Sequence, residues 1–464
     1  MIALTLGEIA GIVDGALTAG ADPATVVSGP AFIDSRKATP AGLFAAFDGE
    51  KADGHDFAAA AIEAGAAAML GSRDVGVPGV LVPDVEAALG RLARELLRRL
   101  PDTTVIALTG SSGKTSTKDL LGQVLSAHAP TVFTEGSFNN EIGLPLTVLR
   151  ADEDTRFLLL EMGARGVGHI KQLCELAPPK VGLVLNIGTA HVGEFGSKEI
   201  TATAKGELIE ALPKDGLAVL NADDEYVARM AERSDAPVLW FGEQSSARVR
   251  ATDIDVDGNG CAGFTLGADG VEAPVRLRFV GEHMVANAVA AAAVCVGVGM
   301  TVPEIARAID AAEPLSGGRM SVTHRADGVI VIDDAYNANP ESMRAGLKAL
   351  VTLARSRPEG RSWAVLGQMA ELGDSTVEAH DALGRLAVRL RVDRLLAVGP
   401  EARMIHAGAM HEGSGGQESA TVADPDEAIA VLRAQLRPGD VVLVKASNSV
   451  GLRRVARALL EDAR

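Results

Sequence analysis

A lysine and two hydroxyl residues behind a turn of small residues form the most chemically informative stretch of this sequence. Val105-Ile106-Ala107-Leu108-Thr109 reads as a buried strand, Gly110-Ser111-Ser112-Gly113 as a tight turn, and Lys114-Thr115-Ser116-Thr117 as the start of a helix. Glycines let backbone N–H groups approach phosphate oxygens, and a helix N-terminus favours negative charge. Gly110, Ser111, Ser112, Gly113 and Ser116 are therefore expected to cradle phosphates. Lys114 is expected to reach the outer ones and Thr115 to ligate Mg2+. The common pattern places its first glycine five residues before the last. Here that position is Leu108, and the glycine comes at 110.

Two further strands end in residues that suit such a site. Phe157-Leu158-Leu159-Leu160 runs into Glu161, and Val181 to Ile187 leads to His191. A carboxylate at the end of a buried strand is costly unless it is paired or bound to metal. Open α/β sheets gather their ligands at the carboxyl ends of strands. Thr115, Glu161 and His191 thus form a candidate Mg2+ set. Lys205, in the next helix, would be an odd cation beside it. Carbamylation would turn the amine into a carboxylate-like ligand, whereas charge spacing alone favours a surface pair with Glu207 or Glu210.

Other candidates are polar residues at strand and helix ends. Ser35 and Arg36 offer a hydroxyl and a guanidinium to a phosphate or sugar. Asn139 and Asn140 could hold a substrate oxygen or form an Asx turn. Asn287 could read adenine through its donor and acceptor or pack within a helix. His55 reads more readily as structural than as a base. Arg319 lies in a glycine-containing turn, and Asp333-Asp334-Ala335-Tyr336-Asn337-Ala338-Asn339 is a dense polar cluster after an apolar strand.

The elements that must position these residues point to an α/β protein of three domains. A length of 464 residues and 47% apolar content suit several cores. Composition breaks suggest boundaries at 1–101, 102–314 and 315–464. The first is an α/β unit, the second carries the phosphate loop on a mostly parallel sheet, and the third is Rossmann-like. Residues 245 to 280 read as a separate small antiparallel sheet. The formal charge, 44 − 61 = −17, argues against binding nucleic acid or an anionic membrane. Glu8 and Asp14 interrupt the N-terminal apolar residues, so no signal peptide is expected. The alanine-rich run from Val285 to Met300 falls short of the ~20 residues of a membrane span. The three scattered cysteines suit a reducing compartment, and a cytoplasmic monomer is expected.

Taken together, the motifs resemble the Mur ligases of bacterial peptidoglycan synthesis across all three units. The resemblance rests on Asp34-Ser35-Arg36 with Asp53-Gly54-His55-Asp56-Phe57, on Thr109 to Ser116, and on Asn139-Asn140-Glu141-Ile142-Gly143-Leu144-Pro145. It also rests on Asn186 to Gly196, Asp334-Ala335-Tyr336-Asn337-Ala338-Asn339-Pro340 and Leu366 to Gly373. It implies ATP-dependent amide ligation through an acyl phosphate. The cluster at 334–340 is similar to the branch that adds D-alanyl-D-alanine to a UDP-N-acetylmuramoyl-tripeptide.

By the same resemblance, Ser35 and Arg36 would lie near the UDP-sugar. Glu161, His191 and a carbamylated Lys205 would hold Mg2+. Asn287 would meet adenine, Arg319 the ATP phosphates, and Asp333 or Asp334 the ribose. Asn139, Asn140, Tyr336 and Asn337 would contact substrate. Ser137 stands where the family often has Asn, His169 where it has Glu, and Lys445-Ala446-Ser447-Asn448 where it has Lys-Gly-Ser-Arg. The residues alone leave open another amide ligase on this scaffold, such as a folylpolyglutamate synthase, or a nucleotide-driven switch protein.

Overall fold

A computed structural model of the chain describes residues 1–49, 52–188 and 196–461. His191 lies outside the described residues. The rest folds as a mixed α/β structure built on three larger sheets and one two-stranded ribbon.

The first sheet has five short strands, in the order Ala16–Leu17, Gly79–Leu81, Ala68–Gly71, Leu43–Ala45 and Ala31–Phe32. Two helices flank it. Leu6–Val13 starts at Thr5, whose hydroxyl accepts from the Glu8 N–H at 3.2 Å while Glu8 accepts from the Thr5 N–H at 2.8 Å. This reciprocal cap satisfies two helix-end donors. The helix buries Leu6, Ile9, Ala10 and Val13, one stripe at helical spacing. Val85–Arg98 buries Val85, Ala88, Leu89, Leu92 and Leu96, and leaves Arg94 and Arg98 outside. Arg98 and Arg99 fork onto Glu95, as a solvated face would.

The central sheet has nine strands. From one edge the order is Val271–Val280, Cys261–Ala268, Val249–Val256, Val238–Gly242, Leu217–Asn221, Val181–Val184, Thr104–Thr109, Phe157–Glu161 and Thr131–Phe133. The antiparallel strands expected from residues 245 to 280 exist but do not form a separate sheet. Val249–Val256 pairs in parallel with Val238–Gly242, so the hairpins extend the parallel sheet at its edge. The alternation of side chains reveals strands but not which edge they join.

Register explains why the polar residues converge. Glu161 stands opposite Leu108, and Val184 opposite Thr109. Three neighbouring parallel strands therefore run out at one rim. The phosphate loop, Glu161 and the 185–188 segment follow from that edge. The Lys114–Ser126 helix packs against the buried helix Met284–Gly297, which carries Asn287.

The third sheet runs Ser321–His324, Ile330–Asp333, Val441–Lys445, Ser362–Leu366, Arg394–Val398 and Ser419–Val422, and only its first pair is antiparallel. The segment that leads into it is anchored before it turns. The Gln123 side-chain amide donates to the Glu313 carbonyl at 2.9 Å and accepts from the Glu313 N–H at 3.0 Å. Beyond this, Gly318 and Met320 adopt left-handed backbone, with φ of +76° and +51°. Among the described residues, no helix is long and apolar enough to cross a membrane.

Candidate active site

A cavity of about 790 Å³ opens where the three sheets meet. Its wall takes Ile33 from the first unit, the loop Ser111 to Ser116, Asn139, Asn140, Glu161, Lys205 and Asn287 from the second, and Arg319, Asp334, Tyr336, Asn337 and Lys445 from the third. Its size and mixed lining suit a substrate site.

The phosphate loop is tightly held. Gly113 has φ +79°, and a Cβ there would lie 2.6 Å from the Asn287 Oδ1. Glycine is required both by the backbone and by the close approach of Asn287. Asn287 itself is 6% exposed and donates to the Met284 sulfur at 3.3 Å. Lys114 donates to the Gly110 carbonyl at 2.7 Å, folded back over the loop. Burial pushes its pKa down, the Glu161 charge pulls it back up, and Arg319 lowers it further. The Ser111 Oγ is buried without a hydrogen-bond partner among the described residues.

Asn186 clamps the loop from the neighbouring strand. Its Oδ1 accepts from the Ser112 N–H at 3.0 Å, and its Nδ2 donates to the Ser112 carbonyl at 3.1 Å. Sequence reading placed Asn186 only inside a longer signature. An amide two residues beyond the end of a strand neighbouring the loop strand was the available signal. Asn221 and Asp224 serve the same segment, holding the Leu185 carbonyl and the Ile187 N–H at 2.8 Å each.

Glu161 is 1% exposed. Its Oε1 accepts from the Asn139 Nδ2 at 2.7 Å, and its Oε2 has no partner among the described residues. A buried carboxylate oxygen is costly unless it meets a donor or a cation. Asn139 thus orients Glu161, whereas the Asn140 side chain accepts from the Gly143 N–H at 2.9 Å, at the start of the short helix Gly143–Val148.

Lys205 does not sit at the surface with Glu207 or Glu210. It is 2% exposed, inside the helix Lys198–Glu210. Glu207 instead accepts from the Gly168 and Lys171 N–H groups, capping the helix His169–Leu176, and Glu210 pairs with Arg233 at 2.8 Å. Burial holds the Lys205 pKa well below the ordinary lysine range, and the Lys114 cation lowers it further. Charge spacing misled because Glu207 and Glu210 are engaged by the backbone and by another helix.

In the third unit, Arg319 lies over the Tyr336 ring, 4.5 Å from its centroid. Asp334 accepts from the Met320 N–H at 3.0 Å and pairs with Lys445 at 2.6 Å. Lys445 also donates to the Asn337 carbonyl at 2.9 Å. Asp333 faces Arg453 at 3.9 Å and is not part of the cavity wall. Burial raises the Asp333 pKa.

Ser35 and Arg36 also lie outside the wall. Arg36 pairs with Asp34 at 2.8 Å and is largely exposed. His55 is structural: its Nε2 accepts from the Ser72 N–H at 2.9 Å and its Nδ1 faces Asp53 at 2.6 Å. Among the described residues, no three His, Cys, Asp or Glu side chains cluster as a metal site.

Three family models match the chain. They are the Mur ligase family catalytic domain over residues 32–97, the Mur ligase middle domain over 108–295, and the Mur ligase glutamate ligase domain over 318–448. The chain is 49% identical to a UDP-N-acetylmuramoyl-tripeptide--D-alanyl-D-alanine ligase from Mycobacterium tuberculosis, covering 100% of this chain and 98% of that one. It is 36% identical to the ligase of the same name from Escherichia coli, covering 100% and 99%. Crystal structures of MurF superpose closely. That from Acinetobacter baumannii has a TM-score of 0.86 at 31% identity, covering 99% of both chains. That from Thermotoga maritima in complex with ADP has a TM-score of 0.78 at 30% identity, covering 94% of this chain and 98% of the other.

Proposed function

The chain belongs to the Mur ligase family, and on that premise we propose that it joins D-alanyl-D-alanine to UDP-N-acetylmuramoyl-tripeptide at the expense of ATP. The single observation that carries the reading is the cavity. One space brings the phosphate loop, the orphaned Glu161 carboxylate, the buried Lys205 and the Arg319 cation together. Full-length likeness to ligases of that name supports the substrates.

The roles follow the three units. Residues 1–101 receive the UDP-linked substrate, 102–314 bind ATP, and 315–464 present the dipeptide. Loop N–H groups and Lys114 bind the transferring phosphoryl group and stabilise its charge. The tripeptide carboxylate attacks the γ-phosphorus of ATP, the bond to the β-phosphate breaks, ADP leaves, and an acyl phosphate is formed. The dipeptide amine then attacks the activated carbonyl, phosphate leaves, and the amine proton departs with solvent. Holding three reactants in one cavity supplies much of the rate.

Mg2+ fits the residues present, because the buried Glu161 Oε2, without a partner among the described residues, suits a cation. Thr115, Glu161, His191 and a carbamylated Lys205 are the residues assigned to hold it. Bound there, the ion would neutralise phosphate charge. Carbamylation is supported by Lys205 itself. Burial, which lowers its pKa, favours the uncharged amine that reacts with CO2. Asn287 is assigned to adenine, Arg319 to the phosphates, and Asp333 or Asp334 to the ribose. Asp334 already holds Met320 and Lys445, which makes Asp333 the freer carboxylate. Ser35 and Arg36 keep the UDP-sugar assignment, supported by their place two and three residues beyond the wall residue Ile33. Tyr336, Asn337, Asn139 and Asn140 remain the substrate-side group. One copy of the chain supplies every residue named, which supports a monomer as the working unit. The use of ATP and a nucleotide-linked sugar supports a cytoplasmic reaction.

The test is phosphate release from ATP and Mg2+ with both substrates, omitting one component at a time. Release that needs both, with a UDP-pentapeptide product, is the expected result. Release with a different amine would keep the ligase and change its acceptor. No release in any combination would overturn the reading.

A further inference from the structure

Arg319, Tyr336 and Ser137 come from three separate segments, yet they form one stack. The Tyr336 ring supports the Arg319 guanidinium. At the other end of the ring, the Tyr336 hydroxyl is hydrogen-bonded to the Ser137 hydroxyl. Ser137 belongs to the central unit, in the loop that also carries Asn139, and Asn139 holds Glu161. The Tyr336 N–H donates to the Gly318 carbonyl at 3.2 Å, which fixes the ring beneath the turn bearing Arg319. Gly318 has φ +76°, and a Cβ there would stand 3.4 Å from the Tyr336 Cβ.

We infer that Ser137 is a positioning residue for the nucleotide site, tethering Tyr336 so that Arg319 is aimed at the cavity only when the central and C-terminal units are docked. This rests on the ligase reading for what Arg319 meets, the ATP phosphates. The tether itself rests on geometry alone. Among the hydrogen bonds of the described residues, Tyr336 through its hydroxyl makes the one side-chain contact between Arg319's support and the 134–142 loop. Without it the ring keeps its face for the guanidinium but loses its fixed rotation. An unfixed cation costs ordering entropy each time nucleotide binds.

The experiment compares Ser137→Ala, Tyr336→Phe and the double variant with wild type. Steady-state KM and kcat are measured, together with ADP binding by calorimetry. Each single change should raise the KM for ATP about three- to tenfold, and in Ser137→Ala kcat should change less than twofold. The double variant should be no worse than either single one, because both remove the same bond. Ser137→Thr, which keeps the hydroxyl, should restore the wild-type KM. Thermal melting of each variant checks that it folds. A KM for ATP within twofold of wild type in both single variants would overturn the tether. So would losses that multiply in the double variant. If wild type makes no UDP-pentapeptide, the ligase reading fails. ADP affinity then decides the tether separately, with a non-additive loss supporting it and no loss refuting it.

Discussion

The Lys445 ammonium lies 2.6 Å from the Asp334 carboxylate, and both side chains are almost wholly buried at the cavity wall. Removing one partner of such a pair leaves a bare buried charge. Lys445→Met should destabilise the C-terminal unit by about 3–5 kcal/mol. Adding Asp334→Asn should recover most of that loss, because the neutral amide still accepts from the Met320 N–H. Trp363 lies in the same sheet, and the chain has two tryptophans. Its fluorescence during denaturation, in a Trp240→Phe background, reads this unit alone.

Asn186 holds the phosphate loop through two hydrogen bonds to the Ser112 backbone. Asn186→Ala should raise the KM for ATP about tenfold, in line with losing about 1–2 kcal/mol of loop order. The KM for D-alanyl-D-alanine should stay nearly constant. A matched rise in both would mean that the clamp serves the whole cavity.

Lys205 should react with CO2. Protein equilibrated with 13C-bicarbonate should show a carbamate signal that Lys205→Met lacks. The variant should fold yet lose about 10- to 100-fold in activity, as expected when a metal site loses one of its supports. Activity that ignores CO2 depletion, with no carbamate signal, would leave Lys205 as a buried neutral amine.

His380 predicts an acid limit on stability. Its Nε2 accepts from the Met369 N–H at 2.9 Å and its Nδ1 donates to the Thr376 carbonyl at 2.6 Å, so the ring must be neutral. Burial lowers its pKa below the ordinary 6.5, although the Thr376 carbonyl pulls it upward. The unfolded chain therefore binds the proton more readily. Stability is full above about pH 6.5 and declines as pH falls towards the depressed folded value. Melting temperature measured from pH 7.5 to 5 should fall more steeply for wild type than for His380→Gln.

Much of the site was legible because strand, turn and rim chemistry are local. The phosphate loop, Glu161 and the polar cluster at 333–339 each follow an apolar strand; parallel register carries the first two to one edge of the central sheet, and the cluster meets them at the cavity from the third sheet. What escaped was decided by partners distant in sequence. Lys205 reads as a surface residue until Glu207 is seen capping another helix. The antiparallel strands after 249 carry the correct alternation, but edge-joining depends on the Phe241 and Val249 pairing, which no local pattern encodes. Ser137 and Asn186 matter through single hydrogen bonds or amide clamps, which leave no periodic trace.

The Gln123 grip on Glu313 anchors the segment that leads to Arg319. Arg319 lies six residues after Glu313. Fully extended, they reach ~20 Å. However far the outer strands of the C-terminal sheet swing, Arg319 stays on a short leash tied to the helix that begins at the phosphate loop. Any displacement of the far edge of that unit would thus exceed the displacement of Arg319.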